Sequence, residues 1–163
     1  MTAVVVRPVV GDDAPPLAAL INAIIARGGT TAHEEAMTPD MLAATYLHGH
    51  AVICRHGAVG ADGSLLGFQT LNRNDRVPAG WGDIATFAQV DGTQRGVGSA
   101  LSAATRAAAV ALGLGGISAT IRGDNAGGLK FYSRLGFEPY SVAPAVPLRD
   151  GTPVDRVTKR LAL

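Results

Sequence analysis

The sequence predicts an α/β fold: one domain, built on a mixed and mostly antiparallel central sheet flanked by helices. Three observations carry that expectation. A length of 163 residues suits one compact unit, whose typical size is ~100–150 residues. Short β-branched runs alternate with longer segments in which apolar residues recur at helical spacing. No linker, internal repeat or low-complexity stretch divides the chain, so residues 1–163 read as one domain.

The elements follow in order. Val4-Val5-Val6 reads as an opening strand. Gly11-Asp12-Asp13-Ala14 supplies turn and N-cap chemistry, and Leu17, Leu20, Ile21, Ile24 and Ile25 predict an amphipathic helix over about 14–26. Gly28-Gly29 closes it, and Thr38-Pro39-Asp40 opens a second helix through about Leu47. Ala51–Arg55 and Leu65–Leu71 flank the turn at Ala61-Asp62-Gly63-Ser64 and predict a hairpin. Residues 72–80 read as a loop, 83–90 as a strand and 91–95 as a loop. Val97–Leu112 is a helix, with Val97, Leu101, Ala104, Ala108 and Ala111 on one face. Ile117–Ile121 is a strand, Asn125–Leu135 a short helix closed by Gly136, and Phe137–Val142 a strand. Pro144 and Pro147 break the stretch that follows. Asp150-Gly151 then turns the chain into a last strand, Val154–Arg160.

Composition excludes several classes of function. Charged residues make up 17% of the chain, below the ~25% usual for globular domains, so it is not a charge-rich disordered chain. Fourteen basic residues against thirteen acidic ones leave a net charge of +1 with no basic stripe, which argues against nucleic acid as a partner. No apolar run approaches the ~18–20 residues of a membrane span. Cys54 is the only cysteine, which excludes a disulfide within the chain and an all-cysteine zinc site. His33, His48, His50 and His56 form no metal-ligand spacing and read as solvated or packing residues, so no metal is expected. Residues 1–10 carry no leader-like pattern, and the expected compartment is the cytoplasm.

Among the 21 glycines, Gly96 and Gly98 stand apart. They lie between the predicted strand over 83–90 and the long helix from Val97. The first amides of a helix lack internal partners and sit at its positive end, and glycine lets a phosphate approach them without a Cβ in the way. A P-loop would need Lys-Ser/Thr after the last glycine, and none follows. A dinucleotide fingerprint would need a small third residue where Leu101 stands, and an acidic residue ~20 positions on.

A second segment, Asn125-Ala126-Gly127-Gly128-Leu129-Lys130-Phe131-Tyr132 through Gly136-Phe137, lies about thirty residues further on. Together, the two segments resemble the signature of the GNAT superfamily of acyl-CoA-dependent N-acetyltransferases. Gly96, Gly98, Asn125, Phe131, Tyr132, Gly136 and Phe137 match in order and spacing. Two positions depart. The family's Gln/Arg before the first glycine falls on Thr93, with Gln94 and Arg95 beside it, and its small residue in the second motif is Gly128 rather than alanine.

The resemblance implies a GNAT-like fold and acetyl-CoA as co-substrate, with direct transfer of the acetyl group to a primary amine. It places the pantetheine arm beside Phe87, Ala88 and Val90. The pyrophosphate falls on the amides of Gln94, Arg95, Gly96, Val97, Gly98 and Ser99, with Asn125 and Gly128 near the arm. Tyr132 would protonate the departing thiolate. The amine's proton would go to Asp83, with Glu34 or Glu35 as alternatives. The front end, Asn22 and then Gly28 to Glu35, is similar to the phosphinothricin and amino-acid N-acetyltransferase group. That likeness implies an amino-acid-like acceptor near Thr31 and Glu34 and leaves a homodimer open. Arg73 or Arg76 would receive a carboxylate, or serve as exposed loop arginines. The other readings are acetylation of a protein N-terminus or lysine, and a non-catalytic acyl-CoA-binding module.

Overall fold

The computed structural model describes residues 3–163; residues 1 and 2 of the N-terminal stretch lie outside the described residues. The elements are β1 (Val5–Pro8), α1 (Ala14–Arg27), α2 (Pro39–Leu42), β2 (Val52–Val59), β3 (Leu65–Asn72), β4 (Trp81–Ala88), α3 (Val97–Ala111), β5 (Gly116–Arg122), α4 (Ala126–Arg134), β6 (Glu138–Pro147) and β7 (Pro153–Ala162). The strands form one seven-stranded sheet in the order β1-β2-β3-β4-β5-β7-β6. Every neighbouring pair is antiparallel except β4 and β5. This is the expected α/β domain with a mixed, mostly antiparallel sheet.

Alternation along the strands gives the sheet two covered faces. On one, α1 and α2 bury Leu17, Ile21 and Leu42 against Tyr46, Phe68 and Phe87. On the other, α3 and α4 cover Leu71, Ile84, Ile117, Ala119 and Ile121, with Tyr132 and Phe137 in the same cluster. Residues 83, 85 and 87 of β4 therefore face α1 and α2, while 84, 86 and 88 face α3 and α4.

Four elements differ from expectation. Asp13 does not cap α1; its carboxylate turns back to accept from the Val10 amide at 2.8 Å and from both terminal nitrogens of Arg7. Prolines in the first turn of α1 remove N–H groups that would have lacked partners anyway. The second helix, capped by Thr38 on the Met41 amide, keeps α-geometry only to Leu42 and then widens into a π-type turn over Ala43–Leu47. The His48 amide reaches back five residues to the Ala43 carbonyl there.

The buried face of α3 is Val97, Leu101, Ser102, Thr105 and Ala109, so that Thr105 and Ala109 lie one residue, ~100°, round from the expected Ala104 and Ala108. Alanine marks a face only weakly, and the small hydroxyl residues were the ones taken inside. Finally, β6 runs through Pro144 to Pro147 instead of breaking. It is the sheet's edge strand, where a missing donor faces no neighbour, and a register shift between Ala143 and Val146 absorbs the prolines. Ala145 there has a φ of 51°, and the Asp155 carboxylate accepts from its amide.

Phe68 is fully buried and stacks on Phe87 with ring centroids 4.8 Å apart. Phe68→Ala leaves a cavity under β4 and should cost about 3–5 kcal/mol, read as a lower urea midpoint at unchanged m-value.

Candidate active site

The site begins where a backbone ladder ends. β4 and β5 pair from Trp81↔Gly116 to Ile84↔Ala119 and no further. Beyond that point β4 stays bonded to β3 as far as Gly67↔Ala88, and β5 to β7 as far as Arg122↔Arg156. The carboxyl ends of the two parallel strands thus part, leaving the facing edges of residues 85–88 and 120–122 without a strand partner. Crevices at the carboxyl ends of parallel strands are the usual ligand sites of such sheets.

Two helices start at this opening. No side chain caps α3, and Gly96, which precedes it, adopts φ 82°, a left-handed conformation that favours glycine. The amides of Val97, Gly98 and Ser99 therefore lead the helix with no side-chain cap, whereas Thr38 caps α2 and Asn125 caps α4. Gly98 serves a different purpose from Gly96: a Cβ there would lie 2.8 Å from the Phe131 ring, so it lets α3 and α4 approach. A pyrophosphate fits this open, uncapped start.

α4 carries Tyr132, buried between Phe131 and Phe137. Its hydroxyl lies 2.8 Å from Thr86 Oγ1 on β4. Burial pushes the phenol up to about 12; the Thr86 hydrogen bond pulls it down, and the Asp83 charge adds to the rise. Asn125 accepts from the Gly128 amide at 2.9 Å and donates to the Thr30 carbonyl at 3.2 Å, which leaves one amide hydrogen for a ligand. A Cβ at Gly128 would stand 2.5 Å from the Asn125 amide nitrogen, so this glycine is required by the fold of the cap.

Asp83 faces the opposite side of the sheet. Burial raises its carboxyl pKa, against the hydrogen bond from Asn74 at 2.6 Å and the attraction of Arg76. It lines a cavity of about 320 Å³ floored by Ser118, Thr120 and Thr158 and flanked by Arg76 and Arg156.

The structure brings Tyr132, Asp83, Phe87, Ala88, Gly96, Val97, Gly98, Ser99 and Asn125 to the opening or its rims. Val90 lies beyond the end of β4, in the loop that also carries Gln94 and Arg95, and packs against the α1–α2 core. Thr31 and Glu34 are engaged by the protein itself. The Thr31 hydroxyl accepts from the His33 amide and its carbonyl from Arg122, while Glu34 accepts from the Arg149 amide. Glu35 pairs with the Arg149 side chain. Of the two loop arginines, Arg76 lines the cavity.

Several residues escaped the sequence reading. Thr86, Gln69 and Ser102 form a buried hydrogen-bonded chain behind Tyr132. A lone glutamine inside the apolar run Leu65–Leu71 was the signal available. His33, read as solvated or packing, lies half-buried with Nε2 against the Tyr46 hydroxyl, and burial lowers its pKa. Tyr46 is raised to about 12 by burial and by Asp83.

No protein-family model matches the chain, and no curated protein does. Solved structures do. A GCN5-related N-acetyltransferase from Kribbella flavida is 22% identical, with a TM-score of 0.85 over 99% of this chain and 98% of that one. An N-acetyltransferase from Staphylococcus aureus Mu50 is 19% identical, with a TM-score of 0.86 over 98% of each chain. A GNAT superfamily phosphinothricin acetyltransferase from Sinorhizobium meliloti, in complex with AcCoA, is 18% identical, with a TM-score of 0.84 over 98% of this chain and 88% of that one. The chain has the GNAT fold.

Because burial holds Asp83 above its unfolded pKa, its ionised form costs stability once the pH passes the unfolded value near ~4. Asp83→Asn should melt at or above wild type at pH 7, and the difference should vanish as the pH falls below ~4. Melting temperatures across that range check it; a lower value at pH 7 would mean the Asn74 and Arg76 contacts outweigh burial.

Proposed function

We propose, from the premise of a GNAT fold, that this chain transfers the acetyl group of acetyl-CoA directly to a primary amine. The observation that carries the reading is the parting of β4 and β5. An uncapped helix start lies on one rim, and an acid and a base stand on opposite faces of the sheet.

Acetyl-CoA supplies an activated thioester. The amides of Val97, Gly98 and Ser99 hold its pyrophosphate, with the Gln94–Gly96 turn beside them. The free backbone edge at Ala88, next to Phe87, receives the arm, and the spare Asn125 amide hydrogen donates to it. Asp83 takes the proton of the incoming ammonium, so that the nitrogen lone pair attacks the carbonyl carbon. The raised pKa of this buried carboxylate makes it a better base than an exposed one. As the C–S bond breaks and its electron pair goes to sulfur, Tyr132 gives its hydroxyl proton to the thiolate; the acylated nitrogen sheds its second proton, leaving the neutral amide, and a proton taken up through solvent restores the phenol. A buried phenol near 12 keeps that proton until a base forms beside it. The same dry surroundings raise the thiolate's own affinity for a proton.

The acceptor is a small, amino-acid-like amine. The cavity beside Asp83 supports this: it has room for a small molecule, and besides Arg76, which lies 3.5 Å from the carboxylate, it is lined by Arg156, so that an amine meets Asp83 and an anionic group has a guanidinium to meet. In this reading Thr31 and Glu34 shape the acceptor wall through the loop they hold, and the enzyme works in the cytoplasm.

Free amino acids, polyamines and aminoglycosides, offered with acetyl-CoA and followed by thiol release, test the reading directly. Acetyl-CoA binding with no amine acetylated above background would sink it. Tyr132→Phe should lower kcat by about 100-fold or more while the acetyl-CoA KM stays nearly constant. A large loss of acetyl-CoA affinity instead would make Tyr132 a binding residue.

A further inference from the structure

The hydroxyl pair of Tyr132 and Thr86 is ambiguous by itself, since either oxygen is able to donate. A third residue bears on the choice by filling one of the two acceptor sites of Thr86. Gln69 is fully buried on β3, directly opposite Thr86 in the β3–β4 register. Its amide nitrogen donates one hydrogen to Thr86 Oγ1 at 2.9 Å and the other to Ser102 Oγ at 3.0 Å. Its carbonyl oxygen has no partner among the described residues. Turning the amide over would leave two buried N–H donors without acceptors. An unpartnered buried carbonyl is tolerated better than unpartnered N–H groups, so the observed orientation is the favoured one.

Direction then propagates along the chain. Thr86 Oγ1 accepts from Gln69; the contact with Tyr132 allows either oxygen to donate, and the Tyr132 oxygen is the partner it offers the Thr86 hydrogen. With Thr86 donating, the Tyr132 hydrogen is turned away from Thr86.

The geometry points to Thr86 as a positioning residue: held as a donor by Gln69, it donates to the Tyr132 oxygen and aims the phenol's hydrogen into the opening between β4 and β5. This rests on the acetyl-transfer reading. In that reaction the Tyr132 O–H bond breaks and an S–H bond forms, and the charge left on the phenolate oxygen is met by the Thr86 hydroxyl. Asp83 is the charged group that opposes the phenolate, and the Phe131 and Phe137 rings flank it.

The test uses the full chain carrying 3-fluorotyrosine, which brings phenol ionisation into an accessible range. Tyr132 is assigned by loss of its ¹⁹F resonance in Tyr132→Phe. Removing a donor to the phenol oxygen raises the pKa, whereas removing an acceptor of the phenol hydrogen lowers it. Thr86→Val should therefore shift the Tyr132 titration to higher pH, and Thr86→Ser should restore it. A shift to lower pH, or none, overturns the proposal.

With the best amine from the acceptor panel, Thr86→Val should lower kcat about tenfold at an acetyl-CoA KM within about twofold, with recovery in Thr86→Ser. An upward pKa shift with kcat unchanged also overturns the positioning role. If the parent protein acetylates no amine, the acetyl-transfer reading falls, while the direction of the ¹⁹F shift still decides which hydroxyl donates.

Discussion

β4 and β5 run side by side, share four registered pairs and then separate. Each keeps its antiparallel partner on the far side, so the separation costs neither strand its place in the sheet. What it leaves is two stretches of backbone edge whose N–H and C=O groups need partners from outside the sheet. The connection between the strands places α3 on the face opposite α1, with its amino end at the gap; the same logic after β5 places α4. An unpaired strand edge, an uncapped helix start and a buried tyrosine thus meet at one point because one ladder stops early.

The chemistry divides between the faces by strand parity. Asp83 and Thr86 are an odd number of residues apart on β4, so one serves the cavity on the α1–α2 side while the other reaches Tyr132 under α4. The charge of Asp83 helps raise Tyr46 on its own face and, through the sheet, Tyr132. Three groups that resist ionisation are thereby gathered in one small volume. Such gatherings are unfavourable for stability and are found where proton transfer is required.

Much of this was legible in the sequence, and the parts that were not share physical causes. Glycine at 96 and 98, Asn125 and Tyr132 marked the opening because backbone conformation, capping and close helix approach restrict residue type strongly. The face of α3 was misplaced because alanine carries little directional information, while Ser102 and Thr105 went inside to meet polar or tightly packed neighbours. The length of β6 was underestimated because proline is forbidding in a central strand and harmless at an edge, and edge position is a property of topology. Thr86 and Gln69 acquire meaning only when β3, β4, α3 and α4 converge, a contact spanning residues 69 to 132 that no local pattern encodes.

The segment between α1 and α2 is held from several directions. Asn22 clasps Met37 through both its amide and its carbonyl, at 2.7 and 2.9 Å. Asn125 takes the Thr30 carbonyl, Arg122 takes that of Thr31, and Glu34 and Glu35 grip Arg149 in the turn between β6 and β7. The ordering entropy of this eleven-residue stretch, ~1 kcal/mol or more per residue, is thus spent during folding and is not deducted again from binding. Any molecule that docks on this segment would meet a preordered surface. Its affinity is then set by how well its charges fit fixed partners, and selectivity comes with little loss of binding strength.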